Sequence, residues 1–441
     1  MKYNKFFELA KQAGIEEAEL YVSNSYSLSI SLFHSEIDNY SVEEGSIYIA
    51  RGIINGKFGA ASVDVYNNEK AKYLVDEIVR NAKIIENEDP AILFKGSEKY
   101  HKLSTFNKDL DKISVDEKLK NLYELEKKLR EKDPRVIEIQ GVEYSEEREV
   151  STLMNSHGLN LSQKSNFFVM TGAVLAKEGN QVKSGYDIFL DNDYSKLNID
   201  ALAEKAVKKA VDQLGGEACE SKTYKAVLAP EVVAAFMSVY MSHVSSESVQ
   251  KHSSLFIGKV GQKVASRKVT IEDKPLLKGS VYSRWFDDEG VATYNKPLVK
   301  NGVLQGYLYN LTTAMKEGVT TTGNGFKAGS KISVAPINLS LKAGKKSFDE
   351  LVKEVGDGVY ITSVQGMHAG MNPQSGNFSL QSEGFLIKNG KVDHPLDVIT
   401  VSGNLVKLFN DVLEVGSDQK TLLGGTTVSS VVVKEVSVGG K

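Results

Sequence analysis

Residues 46–65 carry the sequence SIYIARGIINGKFGAASVDV, which decides the fold class. The first arm, from Ser46 to Ile54, is rich in residues that favour β-strands, and a second arm runs from Lys57 to Val65. Asn55-Gly56 lies between them, and both residues tolerate the positive φ of a two-residue hairpin turn. The stretch therefore predicts an antiparallel hairpin, which favours the α+β class over a doubly wound α/β fold.

The rest of the N-terminal region extends this pattern. Residues from Ser27 to Leu32 alternate strictly between polar and apolar side chains, which indicates a strand with one buried face. A short helix is predicted from about Asn4 to Gly14, because glycine can end a helix in the left-handed conformation. A second helix follows the hairpin, since apolar residues recur there at helical spacing. These residues are Ala71, Leu74, Val75, Ile78, Val79, Ala82 and Ile85.

A similar series of elements follows residues 87–112, a polar stretch that we interpret as a linker or long loop. Ser114, with Glu117 three residues later, predicts a helix that begins with a capping box. Strands are predicted at 135–142, 149–155, 167–177 and 181–190, and a helix at 200–214. Several strands followed by a helix thus occur twice, over 19–85 and 136–214. A duplication and a chance repeat both explain this order.

The sequence changes character after residue 222, where glycine, serine, threonine and valine dominate. A strand from Tyr224 to Leu228 leads into Pro230, which suits the first turn of a helix that runs to about His243. Further helices are predicted at 348–355 and 405–413. We expect an N-terminal domain over 1–86, a central domain over 113–216, both α+β with mixed or antiparallel sheets, and a mostly β domain over 222–441.

Composition excludes several classes of protein. The chain has 441 residues with a formal net charge of -3, which argues against a dedicated nucleic-acid binder. It has one cysteine, Cys219, so no internal disulfide can form. The N-terminus carries charges where a signal peptide has an apolar core, and no run of 18 apolar residues predicts a membrane helix. We expect a cytoplasmic protein.

The motifs of common hydrolases are missing. A zinc peptidase would place two histidines and a glutamate on one helix, as in His-Glu-x-x-His, to bind the metal and activate its water. None of the histidines is followed by glutamate: His34, His101, His157, His243, His252, His368 and His394. Acidic neighbours of Cys219 disfavour a thiolate nucleophile, and no Gly-x-Ser-x-Gly elbow occurs.

Three loops remain as candidates for binding. The glycine-rich run from Gly323 to Ser330 lacks the spacing of a phosphate-binding loop, although its backbone could bind a peptide. Asp287-Asp288-Glu289 could bind a cation or the amino end of a peptide, but a solvated turn is the favoured interpretation. His368 lies in a loop with glycines and a proline, and such loops often line sites.

Ordered motifs over nearly the whole chain resemble the TldD/PmbA family. Asn155-Ser156-His157-Gly158 is similar to its central turn. The match is best in the C-terminal half, at 286–291 (FDDEGV), 375–379 (SGNFS) and 399–405 (ITVSGNL). The stretches 44–52 and 55–62 resemble the family's N-terminal signature.

The resemblance implies a cytoplasmic heterodimer that cleaves unfolded peptides in an enclosed chamber. TldD-type chains carry a zinc helix with the motif His-Glu-x-x-x-His, and they pair with a PmbA-type chain, also called TldE. Here Ser238 and Val239 stand in place of the first histidine and the glutamate, and His243 falls near the second histidine. The resemblance thus implies the PmbA/TldE type, with no catalytic or metal-binding residue in this chain and the zinc in a TldD-type partner.

Three functions stay open on the sequence alone. The first is a non-catalytic partner subunit of a zinc-dependent metallopeptidase, active in proteolysis and peptide maturation. The second is a protein-binding regulator of the kind described as a modulator of DNA gyrase, and the third is a homodimeric peptidase with an unrecognised site. The residues expected to face a peptide or to form a pseudo-active site are Ser238, His243, Gly323, Gly325, His368 and Asn377.

Overall fold

Two consecutive α-β-β-β-α segments build the N-terminal half of the protein. The computed structural model describes residues 3–86, 89–329 and 331–440. The first segment consists of α1 (Asn4–Gln12), β1 (Glu17–Phe33), β2 (Glu36–Ile54), β3 (Lys57–Val63) and α2 (Asn68–Ile84). The second consists of α3 (Val115–Glu131), β4 (Val136–Asn155), β5 (Asn160–Glu178), β6 (Gln181–Asp191) and α4 (Ile199–Val211).

The two segments share one six-stranded sheet with the order β3-β2-β1-β4-β5-β6. Strands β1 and β4 pair antiparallel at its centre, and every other neighbouring pair is antiparallel too. The strand order is therefore the same from the centre outward on both sides, which favours a duplication over a chance repeat. The regions 1–86 and 113–216 each contribute three strands to this continuous sheet.

Local sequence signals position the elements of this half. Asn55 and Gly56 have φ values of 49° and 74°, as a type I′ turn requires, and Ile54 pairs with Lys57 across it. The side chain of Ser114 accepts a hydrogen bond from the Glu117 backbone N–H at 3.2 Å, which caps α3. The predicted hairpin and the start of this helix are confirmed.

The helices cover one face of the sheet in two core clusters. The first segment packs α1 and α2 on its own strands. The second cluster contains buried residues of α3, α4, β4 and β5, with Phe189 of β6 packed against it, together with Leu28, Ile30 and Leu32 of β1. These three are the apolar positions of the alternating stretch in β1, so the first segment completes the core of the second.

The region from residue 89 to 109 is irregular and ends in a 3-10 turn at Leu110–Lys112. Asn87, where that loop was expected to begin, lies outside the described residues. The loop contacts the C-terminal domain, because the Tyr100 hydroxyl donates a hydrogen bond to the Gly290 carbonyl at 2.8 Å. Across the described ranges, no helix is long and apolar enough to cross a membrane.

The C-terminal domain is mostly β, as expected, with more short helices than the sequence suggested. Its elements are β7 (Lys222–Leu228), α5 (Pro230–Met241), α6 (Ser246–Gln250), β8 (Ile271–Asp273), β9 (Lys296–Lys300), β10 (Val303–Leu304), α7 (Leu311–Glu317), β11 (Gly325–Ala328), β12 (Lys331–Val334), β13 (Leu339–Leu341), α8 (Phe348–Val355), β14 (Gly358–Gln365), α9 (Met367–Gly370), β15 (Asn377–Lys388), β16 (Lys391–Pro395), β17 (Ile399–Asn404), α10 (Leu405–Asn410), β18 (Val412–Val415), β19 (Lys420–Thr421), β20 (Thr427–Val428) and β21 (Val431–Gly439).

One sheet of this domain closes on itself. Its strands follow the order β14-β7-β21-β17-β15, and β14 pairs with β15 as well as with β7. A second sheet has the order β10-β9-β8-β13-β20-β19. The largest core cluster among the described residues combines helix α5 with strands of both sheets. A smaller cluster, which includes Leu153, Trp285 and Phe286, joins the domain to the six-stranded sheet.

Candidate functional site

Helix α5 holds the positions where the resemblance places a zinc motif. It begins with Pro230 at its first turn and ends at Met241, and a 3-10 turn over Ser242–Val244 follows. Ser238 is exposed and Val239 is partly buried, whereas Phe236 and Tyr240 point into the core. Because the chain leaves the α-helix before residue 243, His243 is carried by the following turn.

His243 is buried, with 3% of its surface exposed. Its Nδ1 accepts a hydrogen bond from the Leu255 backbone N–H at 3.2 Å, so its Nε2 carries the proton and donates to the Pro373 carbonyl at 3.0 Å. Burial lowers the pKa of His243, because the charged form loses its hydration. Both ring nitrogens thus bond to the backbone, and this histidine holds two loops together.

A cavity of about 790 Å³ opens beside His243. One wall contains Ser242, His243 and Ser248, and the other runs from Ala369 to Ser379. Asn377 lies in this second wall, where its side-chain oxygen accepts a hydrogen bond from Asn404 at 2.8 Å. His368 is exposed on α9, one residue before the wall begins. The structure therefore brings His243 and Asn377 to one cavity and leaves His368 outside its lining.

Ser238 faces a different cavity, of about 430 Å³, which shares Ser242 and Ser248 with the first. Its other walls include Glu247 and Pro336. The two cavities lie on either side of the connection between α5 and α6. Ser238 and His243 thus share a helix and turn but not a site.

Gly323 and Gly325 lie in neither cavity. Both are buried, and a Cβ atom on Gly325 would lie 2.4 Å from Glu289 Oε2. The Gly325 N–H donates to Asp287 Oδ2 at 2.9 Å, and its carbonyl accepts from the Asp288 N–H at the same distance. Gly325 therefore allows its strand to pack on the acidic turn, whereas a Cβ atom on Gly323 would lie 2.9 Å from the Ala292 carbonyl oxygen. Ser330, at the end of the predicted loop, lies outside the described residues.

The favoured interpretation of Asp287-Asp288-Glu289 as a solvated turn is wrong. Their exposed fractions are 0%, 4% and 2%. Backbone N–H groups satisfy Asp287, whose Oδ1 accepts from Glu289 at 3.0 Å and Val291 at 2.9 Å. Burial and the charge of Glu289 raise the pKa of Asp287 to about 8.

Three cations offset the remaining acidic charge. Arg284 donates to Asp288 Oδ1 at 2.7 Å, and the ammonium of Lys327 bonds to the Asp288 carbonyl and to Glu19 Oε1, the latter at 3.3 Å. Arg51 donates to the same Glu19 oxygen at 3.0 Å. The cluster links strands β1 and β2 to the C-terminal domain. Sequence reasoning missed it, because 308 positions separate Glu19 from Lys327 and no local pattern signals their pairing.

The residues at the family's zinc position do not fit zinc. Serine and valine replace a ligand and the base, and the nitrogens of His243 are already bonded to the backbone. Over residues 3–86, 89–329 and 331–440, no group of three His, Cys, Asp or Glu side chains could hold a metal ion. Cys219 is buried, and burial raises the pKa of its thiol. The fold and site define an α+β protein with a cavity of about 790 Å³ beside a helix that lacks metal ligands.

Comparisons with known proteins identify the family. Profiles described as PmbA/TldA metallopeptidase domain 1, central domain and C-terminal domain match residues 18–82, 108–214 and 221–440. The chain therefore belongs to the PmbA/TldD family.

Three relatives illustrate how much of the chain the similarity covers. A candidate modulator of a DNA gyrase from Thermotoga maritima has a solved structure with a TM-score of 0.92 and 31% identity, covering 99% of both chains. TldE from Thermococcus kodakarensis has a TM-score of 0.91 and 26% identity over 100% of both chains. The metalloprotease PmbA homolog of Buchnera aphidicola is 25% identical over 96% of this chain and 93% of its own.

Proposed function

We propose that this protein is a PmbA/TldE-type, non-catalytic subunit of a zinc-dependent metallopeptidase that acts on unfolded peptides. The observation that carries the proposal is the state of helix α5, with Ser238 and Val239 in place of a ligand and a base and with both nitrogens of His243 bonded to the backbone. The proposed partner is a TldD-type chain, which supplies the zinc.

The cavity beside His243 suits an extended peptide. Its 790 Å³ is within the usual size of ligand sites. Its wall presents the side-chain amides of Asn372, Gln374 and Asn377, and amides can both donate to and accept from a peptide backbone. Backbone recognition of this kind tolerates many side chains, which a subunit that handles unfolded peptides needs. The cavity also lies next to α5, the element that carries the metal in TldD-type chains.

The test measures zinc content and cleavage of an unfolded peptide by this chain, by a TldD-type chain, and by the two mixed. We expect less than stoichiometric zinc and no cleavage for this chain alone, and faster cleavage for the mixture than for the TldD-type chain alone. The substitution Q374A, in the cavity wall, should reduce the increase in cleavage rate on mixing. The substitution L413A, at an exposed position outside the cavity, should leave that increase unchanged. Chelator-sensitive cleavage by this chain alone, or no gain on mixing, would contradict the proposal.

A further inference from the structure

Strand β2 leaves part of one edge without a neighbouring strand. It pairs with β1 along almost its whole length, whereas β3 covers only Tyr48 to Ile54 on the other side. Among the described residues, no backbone hydrogen bond occupies this other side between residues 36 and 47. We call residues 36–47 the free edge of β2. Such an edge can pair with a further strand.

The backbone groups of the free edge point outward at every second residue. The Ile53 carbonyl accepts a hydrogen bond from the Glu16 N–H at 2.9 Å, so Ile53 faces the side of β1. Successive residues of an antiparallel strand direct their N–H and C=O groups to opposite sides, and the register with β1 is regular from Ile53 to Asn39. Even-numbered residues therefore point away from β1. Beyond the end of β3, these are Tyr40, Val42, Glu44 and Ser46.

Apolar side chains lie exposed on the helix-covered face of the free edge. Tyr40 and Val42 stand opposite Ile30 and Leu28 of β1, which are buried in the core cluster that contains α3 and α4. Tyr40 and Val42 themselves are 50% and 49% exposed. Residues that stand opposite each other share one face of the sheet, so the helices cover β1 here and leave β2 open. Apolar side chains of an added strand would pack against these two residues.

The other face beside the free edge is acidic. Glu43 stands opposite Ser27 of β1, and Ser27 stands opposite Glu147 of β4. Glu143 lies farther along β4, opposite Ser31. All three glutamates are exposed, and no basic side chain of the described residues forms an ion pair with them. Basic side chains of an added strand would find unpaired carboxylates on this face.

The charge of the free edge argues against a second copy of this chain as its occupant. Residues 36–47 contain Glu36, Asp38, Glu43 and Glu44 and no lysine or arginine. Two such strands would repel each other when paired, because like charges across a strand pair are destabilising. A strand with apolar residues on one face and basic residues on the other complements both faces.

We propose that the free edge of β2 binds an extended peptide segment in which basic and apolar residues alternate. Backbone hydrogen bonds to Tyr40, Val42, Glu44 and Ser46 would hold segments of many sequences, and the side chains would select among them. The apolar side chains lie beside Tyr40 and Val42, and the basic ones lie beside Glu43. The inference rests on the proposed function in taking an unfolded peptide as the ligand, and it names the class of peptide.

The first experiment titrates the full-length protein, by calorimetry, with the peptide acetyl-Lys-Val-Lys-Val-Lys-Val-Lys-amide. One comparison peptide has glutamate in place of each lysine. A second has proline in place of each valine, which keeps the charge but removes backbone donors. We expect the lysine–valine peptide to bind at least about tenfold more tightly than either. No binding of this peptide, or equal affinity of either comparison peptide, would overturn the proposal.

Hydrogen exchange at residue resolution locates the bound strand. The lysine–valine peptide should slow exchange of the outward N–H groups of Tyr40, Val42 and Glu44. Exchange at Ser62, on the outer side of β3, should not change. Unchanged exchange at the free edge would overturn the location. Protection of the same groups by a TldD-type chain without peptide would make the edge a subunit contact and would also overturn the proposal.

A proline variant tests the backbone contact. V42P removes an outward N–H that does not bond to β1, and proline is tolerated at such edge positions. We expect V42P to bind the lysine–valine peptide at least about tenfold more weakly, with an unchanged far-UV circular dichroism spectrum. S62P makes the same change on the outer side of β3 and should leave the affinity unchanged. Equal affinity of V42P and the wild type, or an equal loss in S62P, would overturn the strand pairing.

A charge reversal tests the selection without any change to the backbone. E43K/E44K alters two exposed side chains, so the fold should persist, and the variant should prefer the glutamate–valine peptide. The control E8K/E98K reverses two exposed acids elsewhere and should keep the preference for lysine. An unchanged preference in E43K/E44K, or a reversed one in the control, would overturn the proposal. These binding measurements use this chain alone, whereas the partner-subunit proposal depends on the mixing assay.

Discussion

At the scale of single residues, His243 shows how a position from a catalytic motif can become structural. Its two hydrogen bonds join the turn after α5 to Leu255 and Pro373, which lie in different loops. The sequence identified the position, but it could not show that the backbone occupies both nitrogens. A motif defines which side chain is present, and only the packed fold defines which of its atoms are free.

The lowered pKa of His243 predicts how stability depends on pH. The unfolded chain takes up a proton on this residue near pH 6.5, whereas the folded form resists it. The neutral His243 side chain therefore contributes its full stabilisation above about pH 6.5. This stabilisation is lost as the pH falls toward the pKa that His243 has in the folded protein. H243Q should lower the free energy of unfolding by about 1–3 kcal/mol at pH 8 and weaken its decline on acidification. Urea titrations at several pH values measure this, with H368Q, at an exposed position, as the control. An unchanged pH dependence in H243Q would contradict the assignment.

Gly325 gives a second prediction at this scale. A methyl group there would lie 2.4 Å from a buried oxygen of Glu289, so G325A must displace the carboxylate or the strand. Overpacking of this kind costs about 1–3 kcal/mol of unfolding free energy. G306A is the matched control, because nothing lies within 4 Å of a Cβ at that position. Thermal and urea denaturation should give a lower free energy of unfolding for G325A than for G306A. Equal values would contradict this prediction and would mean that the acidic turn rearranges at little cost.

At the scale of elements, local signals predicted much of the fold. The Asn55-Gly56 turn, the Ser114 cap and the helix at Phe348–Val355 all depend on residues a few positions apart. The sequence predicted two strands, at 135–142 and 149–155, where the structure has the single strand β4. The polar residues at 143–148 suggested a break, but they continue the strand. The carboxylate of Glu146 in this strand is buried, and its charge is neutralised by the Lys118 ammonium of α3 at 2.6 Å. This pairing could not be predicted, because the two residues lie in different elements.

The contact between strands β1 and β11 depends on a buried ion pair. Lys327 joins Glu19 of β1 to Asp288, and both charged side chains are nearly inaccessible. Removal of one partner leaves a buried charge poorly compensated, so K327M should lower the unfolding free energy by about 3–5 kcal/mol. K331M changes an exposed lysine of the adjacent strand and should remain within about 0.5 kcal/mol of the wild type. In a double-mutant cycle, E19Q and K327M should be less damaging together than the sum of their separate effects. Additive losses would mean that the two residues do not interact.

At the scale of the whole molecule, the sheet and the C-terminal domain share a core. Tyr21, Ile49, Leu153 and Leu161 of the sheet pack against Trp285 and Phe286. The sequence could not predict this contact, since no local pattern shows which apolar residues meet between distant segments of the chain. Residues 285–289 supply both the aromatic pair of this contact and the buried acids of the turn that follows it.

Trp285 is the only tryptophan in the chain and it lies in this shared core, so its fluorescence reports separation of the two halves. If the interface is part of one cooperative unit, fluorescence and far-UV circular dichroism should follow the same urea transition. L153A removes a fully buried side chain from the cluster, and it should lower the free energy of unfolding by about 2–5 kcal/mol in both signals. L413A, at an exposed position, should shift neither. An early fluorescence change with unchanged dichroism would mean that the two halves separate before they unfold.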